Sequence, residues 1–376
     1  MRYPRRRSRI LVRVLPALLI VTACSTDSNP VRIGLAGPFT DSVGAPMLRA
    51  AELAVQQINA SGGAAGRAFE LIARDDRGDP DSAIAVATDL VRAGVVAVVG
   101  DVYSGTTLAA APVYNSAGVR QISPSSSSPL VSGAGPWTFR TCPSDLQHGA
   151  ALAKFAAERL SLHRATVLYL NDEYGRGLRQ TFALEFSRRG GVVEEVDPYL
   201  ESRPDVGPYL DRLARRGTSD FLFLGGYREE AEETLRAARA RGVRLPVLGG
   251  DGLEGLEEAG PLAEGSYLSS GYLASIDTRK NREFVEAYRQ KHPTAPSPNQ
   301  PAAATYDIMY LLQSAVAKSG TDRQRLRDAI STIGGSAPPF EGVTGTIAFD
   351  QNGNVPRQRV VVGRIEGGKV RAVGGL

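Results

Sequence analysis

Short, continuously apolar runs alternate with amphipathic stretches along most of this 376-residue chain, and no other feature narrows the fold as much. "VRIGLAG" leads into "APMLRAAELAVQQINASGG", where Leu48, Ala51, Val55 and Ile58 share one helical face and Gly62 and Gly63 stop the helix. "FELIARDD" reads as a second strand, after which Asp79 and Pro80 supply an N-cap and a first-turn proline. "VVAVVG" is a third strand, followed by a helix through "TTLAAAPVYNSAG". A second set starts near residue 145, with apolar runs at "ATVLYL", "FLFLGG" and "LPVLGG" between helices such as "LRQTFALEFSRRGG" and "REEAEETLRAARARG". Strands that are apolar throughout and joined by helices predict parallel sheets covered on both faces. Two successive sets predict an α/β protein of two doubly wound lobes. The C-terminal part returns to helices at "NREFVEAYRQKH" and "AAATYDIMYLLQSAVAKSG", then to strands at "VTGTIAF" and "RVVVGRI".

The N-terminal residues read differently. Six arginines and no acid precede residue 24, and an apolar run from Ile10 to Ala23 is too short and interrupted to span a membrane comfortably. A basic head, an apolar middle and small residues predict an export signal over 1–23. "VTAC", Val21 to Cys24, resembles the bacterial lipobox, which implies cleavage before Cys24 and lipid on its sulfur; a plain signal with an incidental cysteine is the alternative. Multiple acyl chains on one residue suffice for stable anchoring, through a short tether over 24–30. Removing the six arginines leaves 38 basic against 40 acidic residues, so the mature chain carries a net charge of −2. The whole-chain value of +4 therefore gives no reason to expect nucleic acid. With Cys24 lipidated, Cys142 is the one remaining thiol and no intrachain disulfide forms.

Ligands of open parallel sheets sit beyond the carboxyl ends of the strands. "VVAVVG" runs into Asp101, Val102, Tyr103 and Ser104, and "QIS" into the serine run of "ISPSSSSPL". "ATVLYL" is followed by Tyr174, "FLFLGG" by Tyr227 and "LPVLGG" by Asp251. Hydroxyls from one lobe thus face aromatics and a carboxylate from the other, as in a cleft for one small ligand.

These pieces, together with "AELAVQQINASGG", "DDRGDPDSAIAVATDL", "YLNDEYGRG" and "GGDG", resemble the leucine/isoleucine/valine-type substrate-binding proteins of bacterial ABC importers, from about Val31 to Arg364. The resemblance implies a type I periplasmic-binding-protein fold with lobe 1 over 31–141 plus 271–350 and lobe 2 over 142–270 plus 351–376. It implies that Ser104 and Ser127 donate to an amino acid's carboxylate, and that the Ser125 carbonyl and Asp251 accept from its ammonium. Tyr174 and Tyr227 would come down from lobe 2, and Tyr103 would add bulk beside Ser104. Departures from the pattern are Gly78 and Tyr103 where a disulfide would stand, Asp251 for a longer glutamate, and one extra residue in "TDSVG". They support "amino acid" better than "leucine".

Plainer roles compete. Ser104, Ser127 and Asp251 are each able to cap a helix or a turn, and Tyr174 and Tyr227 to sit on a rim. Asp75, Asp76 and Asp79 spell a magnesium-diphosphate spacing but straddle a strand end and an Asp-Pro cap, so they read as structural. Three separated histidines and one spare cysteine offer no metal cluster, and no cofactor is expected. His148 reads as an interlobe hydrogen-bonder rather than a catalyst, with ligand contact left open. No G-x-S-x-G elbow, G-x-G-x-x-G turn or P-loop supports an enzyme. The reading is a monomeric, exported, lipid-anchored binding protein facing the periplasm or cell exterior, serving an ABC permease and ATPase. A sensor for a membrane receptor, or a binder of short amides or small carboxylates, is the runner-up. Crossovers near Thr141, Gly271 and Asp350 would form a three-strand hinge.

Overall fold

The computed structural model describes residues 29–200 and 205–375. The expected signal peptide, the expected lipid site at Cys24 and most of the expected tether lie outside the described residues.

The first sheet contains β1 (Val31–Gly37), β2 (Phe69–Asp75), β3 (Ala97–Val99), β4 (Arg120–Ser123) and β5 (Thr138–Arg140), in the order β2-β1-β3-β4-β5 and parallel throughout. Its helices are α1 (Gly44–Ala60), α2 (Pro80–Arg92) and α3 (Ser104–Ala117). Successive strand residues point to opposite faces, and β1 shows both. Val31, Ile33 and Leu35 join the core beneath α1, while Ala36 joins the one formed with α2 and α3. Asp79 caps α2 as expected, accepting from the Ser82 N–H at 2.8 Å.

The second sheet begins after α4 (Asp145–Lys154). Its strands are β6 (Arg164–Leu170), β7 (Val192–Tyr199), β8 (Phe221–Gly225), β9 (Val247–Gly249) and β10 (Tyr267–Ser270). Between them run α5 (Glu173–Arg188), α6 (Gly207–Arg216) and α7 (Arg228–Ala240). Phe182 stacks on Phe223 at 3.8 Å on one face, and Leu210 and Leu235 pack with Leu222 and Leu224 on the other. Each such fully buried side chain contributes about 1.5–3 kcal/mol.

The chain then returns to the first lobe as α8 (Arg279–Lys291), α9 (Gln300–Ser319) and α10 (Arg323–Ser331). Ile308, Leu311 and Leu312 of α9 share the core of α1 and β1. "VTGTIAF" differs from its expected strand. β11 (Phe340–Glu341) and β12 (Thr346–Ile347) form a two-residue hairpin apart from both main sheets. β13 (Val361–Glu366) and β14 (Lys369–Gly375) then add an antiparallel edge to the second sheet, whose order is β14-β13-β10-β9-β8-β6-β7. That sheet is therefore mixed, because a strand returning from the other lobe and turning on Gly367 and Gly368 pairs without a helical crossover. The chain passes between the sheets after β5, after β10 and between β12 and β13. Two of these passages touch where the Arg140 N–H donates to the Gly353 carbonyl at 3.0 Å.

Candidate functional site

The carboxyl ends of the two sheets face each other across a cleft. Around it stand all seven residues that the sequence put there: Tyr103, Ser104, Ser125, Ser127, Tyr174, Tyr227 and Asp251.

The serine run is packed rather than loose, with Ser126, Ser127 and Ser128 at 0–1% exposure. Its hydroxyls divide their work. Ser126 Oγ donates to the Val102 carbonyl at 3.0 Å, Ser128 Oγ accepts from the Leu130 N–H, and Ser123 Oγ accepts from the Ser126 N–H at 2.9 Å. Ser125 and Ser127 instead line the cavity. Ser104, the first residue of α3, adds its hydroxyl, which accepts from the Ser128 N–H at 3.2 Å. A helix N-terminus beside three serines suits an anion, because its first N–H groups lack intrahelical partners.

Arg140 holds this loop from behind. Its Nη1 donates to the carbonyls of Ser126, Ser127 and Ser128 at 3.3, 3.0 and 2.8 Å, and its Nε to Asn354 Oδ1 at 2.8 Å. It is 1% exposed, and burial lowers its pKa. Sequence reading missed it, since its partners are loop carbonyls that no side-chain pattern announces.

The opposite wall is aromatic and acidic. Tyr174 Oη accepts from the Gly252 N–H at 2.9 Å, Tyr227 stacks on Tyr174 at 5.1 Å, and Tyr227 Oη donates to Asp172 Oδ2 at 3.3 Å. Tyr227 meets Tyr103 edge-on at 4.9 Å, a ring contact that joins the lobes. Tyr103 is fixed in turn: its hydroxyl donates to Asp41 Oδ2 at 2.8 Å, and its ring covers Gly78, where a Cβ would come within 2.8 Å of Cε2. That contact explains why Gly78, at φ +68°, accompanies a tyrosine at 103.

Asp251 follows β9 between two glycines. A Cβ on Gly252 would fall 2.5 Å from the Gly226 carbonyl, so the loop comes this close only because no side chain is there. The Asp251 side chain is 8% exposed, makes no cap on the short helix it begins, and its Oδ1 has no hydrogen-bond partner. His148 lies 3.6 Å from its Oδ2. The expectation of an interlobe bond from His148 is corrected here: Nδ1 meets Ser269 Oγ at 2.9 Å, and both residues belong to the second lobe. Burial lowers the His148 pKa, keeping the ring neutral. Asp145, fully buried, donates its N–H to the Ser127 carbonyl at 2.8 Å; burial, then Asp251, push its carboxyl well above the usual range.

Val43, Val102, Gly252, Glu254, Gln300 and Pro301 complete the lining. Glu254 was legible only as an acid three residues beyond Asp251. Gln300 and Pro301 begin α9 and reach the cleft only because the chain returns to the first lobe. The Asp75, Asp76 and Asp79 cluster runs from the end of β2 to the α2 cap: Asp75 and Asp76 accept from the N–H groups of Arg77 and Gly78 at 2.8 Å. Among the described residues no group of three or more His, Cys, Asp or Glu is arranged to hold a metal ion.

Two doubly wound lobes closing a polar, ring-walled cleft define a two-lobed solute-binding protein. The chain belongs to the periplasmic binding protein family, whose pattern matches residues 30–369. It is 30% identical to the leucine-, isoleucine-, valine-, threonine- and alanine-binding protein of Pseudomonas aeruginosa, over 92% of this chain and 93% of that one. The substrate-binding protein LivJ of Streptococcus pneumoniae, solved with isoleucine, superposes with a TM-score of 0.84 at 27% identity, covering 93% of this chain and 99% of that one. The leucine-binding protein LivK of Thermotoga maritima gives 0.83 at 28%, covering 92% and 98%. The fold is that of the type I periplasmic binding proteins, and the chain is a binding protein and not an enzyme.

Proposed function

We propose that this protein is an extracytoplasmic lipoprotein that captures a small amino acid, aliphatic or branched-chain, between its lobes and delivers it to an ABC importer. One observation carries the ligand class. Hydroxyls at a helix N-terminus face an incompletely partnered carboxylate across a single cavity, the arrangement that a carboxylate and an ammonium on one carbon require. The Pseudomonas aeruginosa relative, named for binding five amino acids, and the Streptococcus pneumoniae one, solved with isoleucine, support the same reading.

In this account Ser104 and Ser127 donate to the carboxylate. The Ser125 carbonyl and Asp251 accept from the ammonium, and Tyr103, Tyr174 and Tyr227 enclose the side chain. The lobes are residues 31–141 plus 271–350 and 142–270 plus 351–376, and the three passages between the sheets act as the hinge. Ligand meets the serines of the open form; the tyrosines and Asp251 then stabilise the closed form, which the permease recognises. The N-terminal lipid on Cys24 holds the monomer at the membrane.

Calorimetry on a Ser104→Ala, Ser127→Ala double variant tests the assignment. Loss of two donors to a charged group weakens amino-acid binding at least about a hundredfold. Native affinity in the double variant removes these serines from the site.

A further inference from the structure

Glu254 gives the cleft a second carboxylate that a simple amino acid leaves unmatched. The cavity lining includes Asp251 and Glu254 but no lysine, arginine or histidine. In the reading above, Asp251 meets the ammonium and the serines meet the carboxylate. Glu254 then faces whatever the ligand carries beyond its α-carbon.

The side chain is held in place from both lobes. The Ser270 hydroxyl donates to Oε1, and the Gln300 N–H, at the start of α9, donates to Oε2 at 3.1 Å. A carboxyl group, protonated or ionised, has acceptor positions beyond the two these donors occupy. Burial, opposed by these two donors, pushes its pKa up to about 8. An aliphatic side chain pressed on such a group removes water and returns no hydrogen bond. A hydroxyl restores one.

Tyr103, pinned by Asp41 and seated over Gly78, is a fixed wall of the same cavity and favours a small side chain.

We propose that Glu254 is the specificity-determining residue of this cleft and selects a small amino acid with a hydrogen-bond donor on its side chain, a β-hydroxyl above all. The proposal rests on the amino-acid reading of the site and replaces its aliphatic or branched-chain side chain with a hydrogen-bond donor.

Isosteric pairs decide the matter. The purified full chain, freed of carried-over ligand by unfolding and refolding, is titrated with threonine against valine and serine against 2-aminobutyrate. 2,3-Diaminopropionate provides an amine donor in the same place. A hydroxyl bonded to the buried Glu254 carboxyl should favour threonine over valine by about 3- to 10-fold, and by more above pH 8, where the group ionises. Glu254→Gln should shrink that ratio and Glu254→Ala abolish it. Tighter binding of the diamino acid than of serine would support the donor requirement with an amine in the hydroxyl's place. Valine binding as tightly as threonine to the unaltered chain overturns the proposal and leaves the amino-acid cleft standing, as does a ratio unchanged in Glu254→Ala. Failure of every α-amino acid to bind overturns both.

Discussion

Replacing Asp251 with asparagine separates a ligand-binding acid from a structural one. The substitution keeps the shape and one carbonyl acceptor but removes the charge. In the fold this side chain is 8% exposed, caps no helix, and leaves Oδ1 without a partner. Its neighbour His148 is held neutral by burial, so the pair forms no ion bridge whose loss would unfold the loop. Stability should therefore change by less than about 1 kcal/mol, a few degrees in Tm at most. Binding should respond far more. Truncating one partner of a buried charge pair costs about 2–5 kcal/mol, and asparagine's remaining acceptor places this variant near the lower end. At about 2–3 kcal/mol, the Kd of the amino-acid ligand rises about 30- to 150-fold, and Asp251→Ala moves it further. Calorimetry for Kd and thermal unfolding for Tm are read on the same samples. A Kd within about threefold of the unaltered protein would refute the role assigned to Asp251. Weak binding accompanied by a collapse in Tm would instead make it a structural residue.

Arg140→Met takes one donor from each of three loop carbonyls and from Asn354; the chain should lose about 3–5 kcal/mol in urea unfolding, and a loss under 1 kcal/mol would show that the serine loop holds itself. Gly78→Ala drives a Cβ to within 2.8 Å of the Tyr103 ring at φ +68°, so Tm should fall by several degrees, and Gly78→Ala combined with Tyr103→Ser should recover part of that loss. Stability should also fall as pH rises from about 6.5 to 8.5. Burial raises Glu254 to about 8 and lifts Asp101 and Asp145 well above the carboxylate range. The folded chain thus holds protons that the unfolded one has released, and stability present below pH 4.5 is lost as pH climbs through the folded value near 8. Neutral His148 acts in the opposite sense, but its contribution is complete above its ordinary value of 6.5. A Tm that rises over this window contradicts the sign; Glu254→Gln should flatten the slope.

The parts of the fold legible in the sequence are those governed by local periodicity. Val31, Ile33 and Leu35 alternate, Asp79 and Pro80 start α2, and an apolar strand end precedes each of Ser104, Tyr174, Tyr227 and Asp251. Features set by the chain's return were not legible. β13 looks like any other apolar strand, and nothing local says that it pairs antiparallel with both β10 and β14. Glu254 is one of several acids after Asp251, and only α9, arriving 46 residues later, holds it against the cleft. His148 misled because proximity to a crossover says nothing about which lobe its ring faces.

The central claim is that one cavity grips an amine and a carboxylate together. Calorimetry with the full chain, stripped of bound ligand and titrated first with the common amino acids and then with short amides and small carboxylates, tests it most directly. The account predicts one-to-one binding of an amino acid that Asp251→Asn weakens about 30- to 150-fold. Binding of amides or carboxylates alone, indifferent to Asp251, would contradict it.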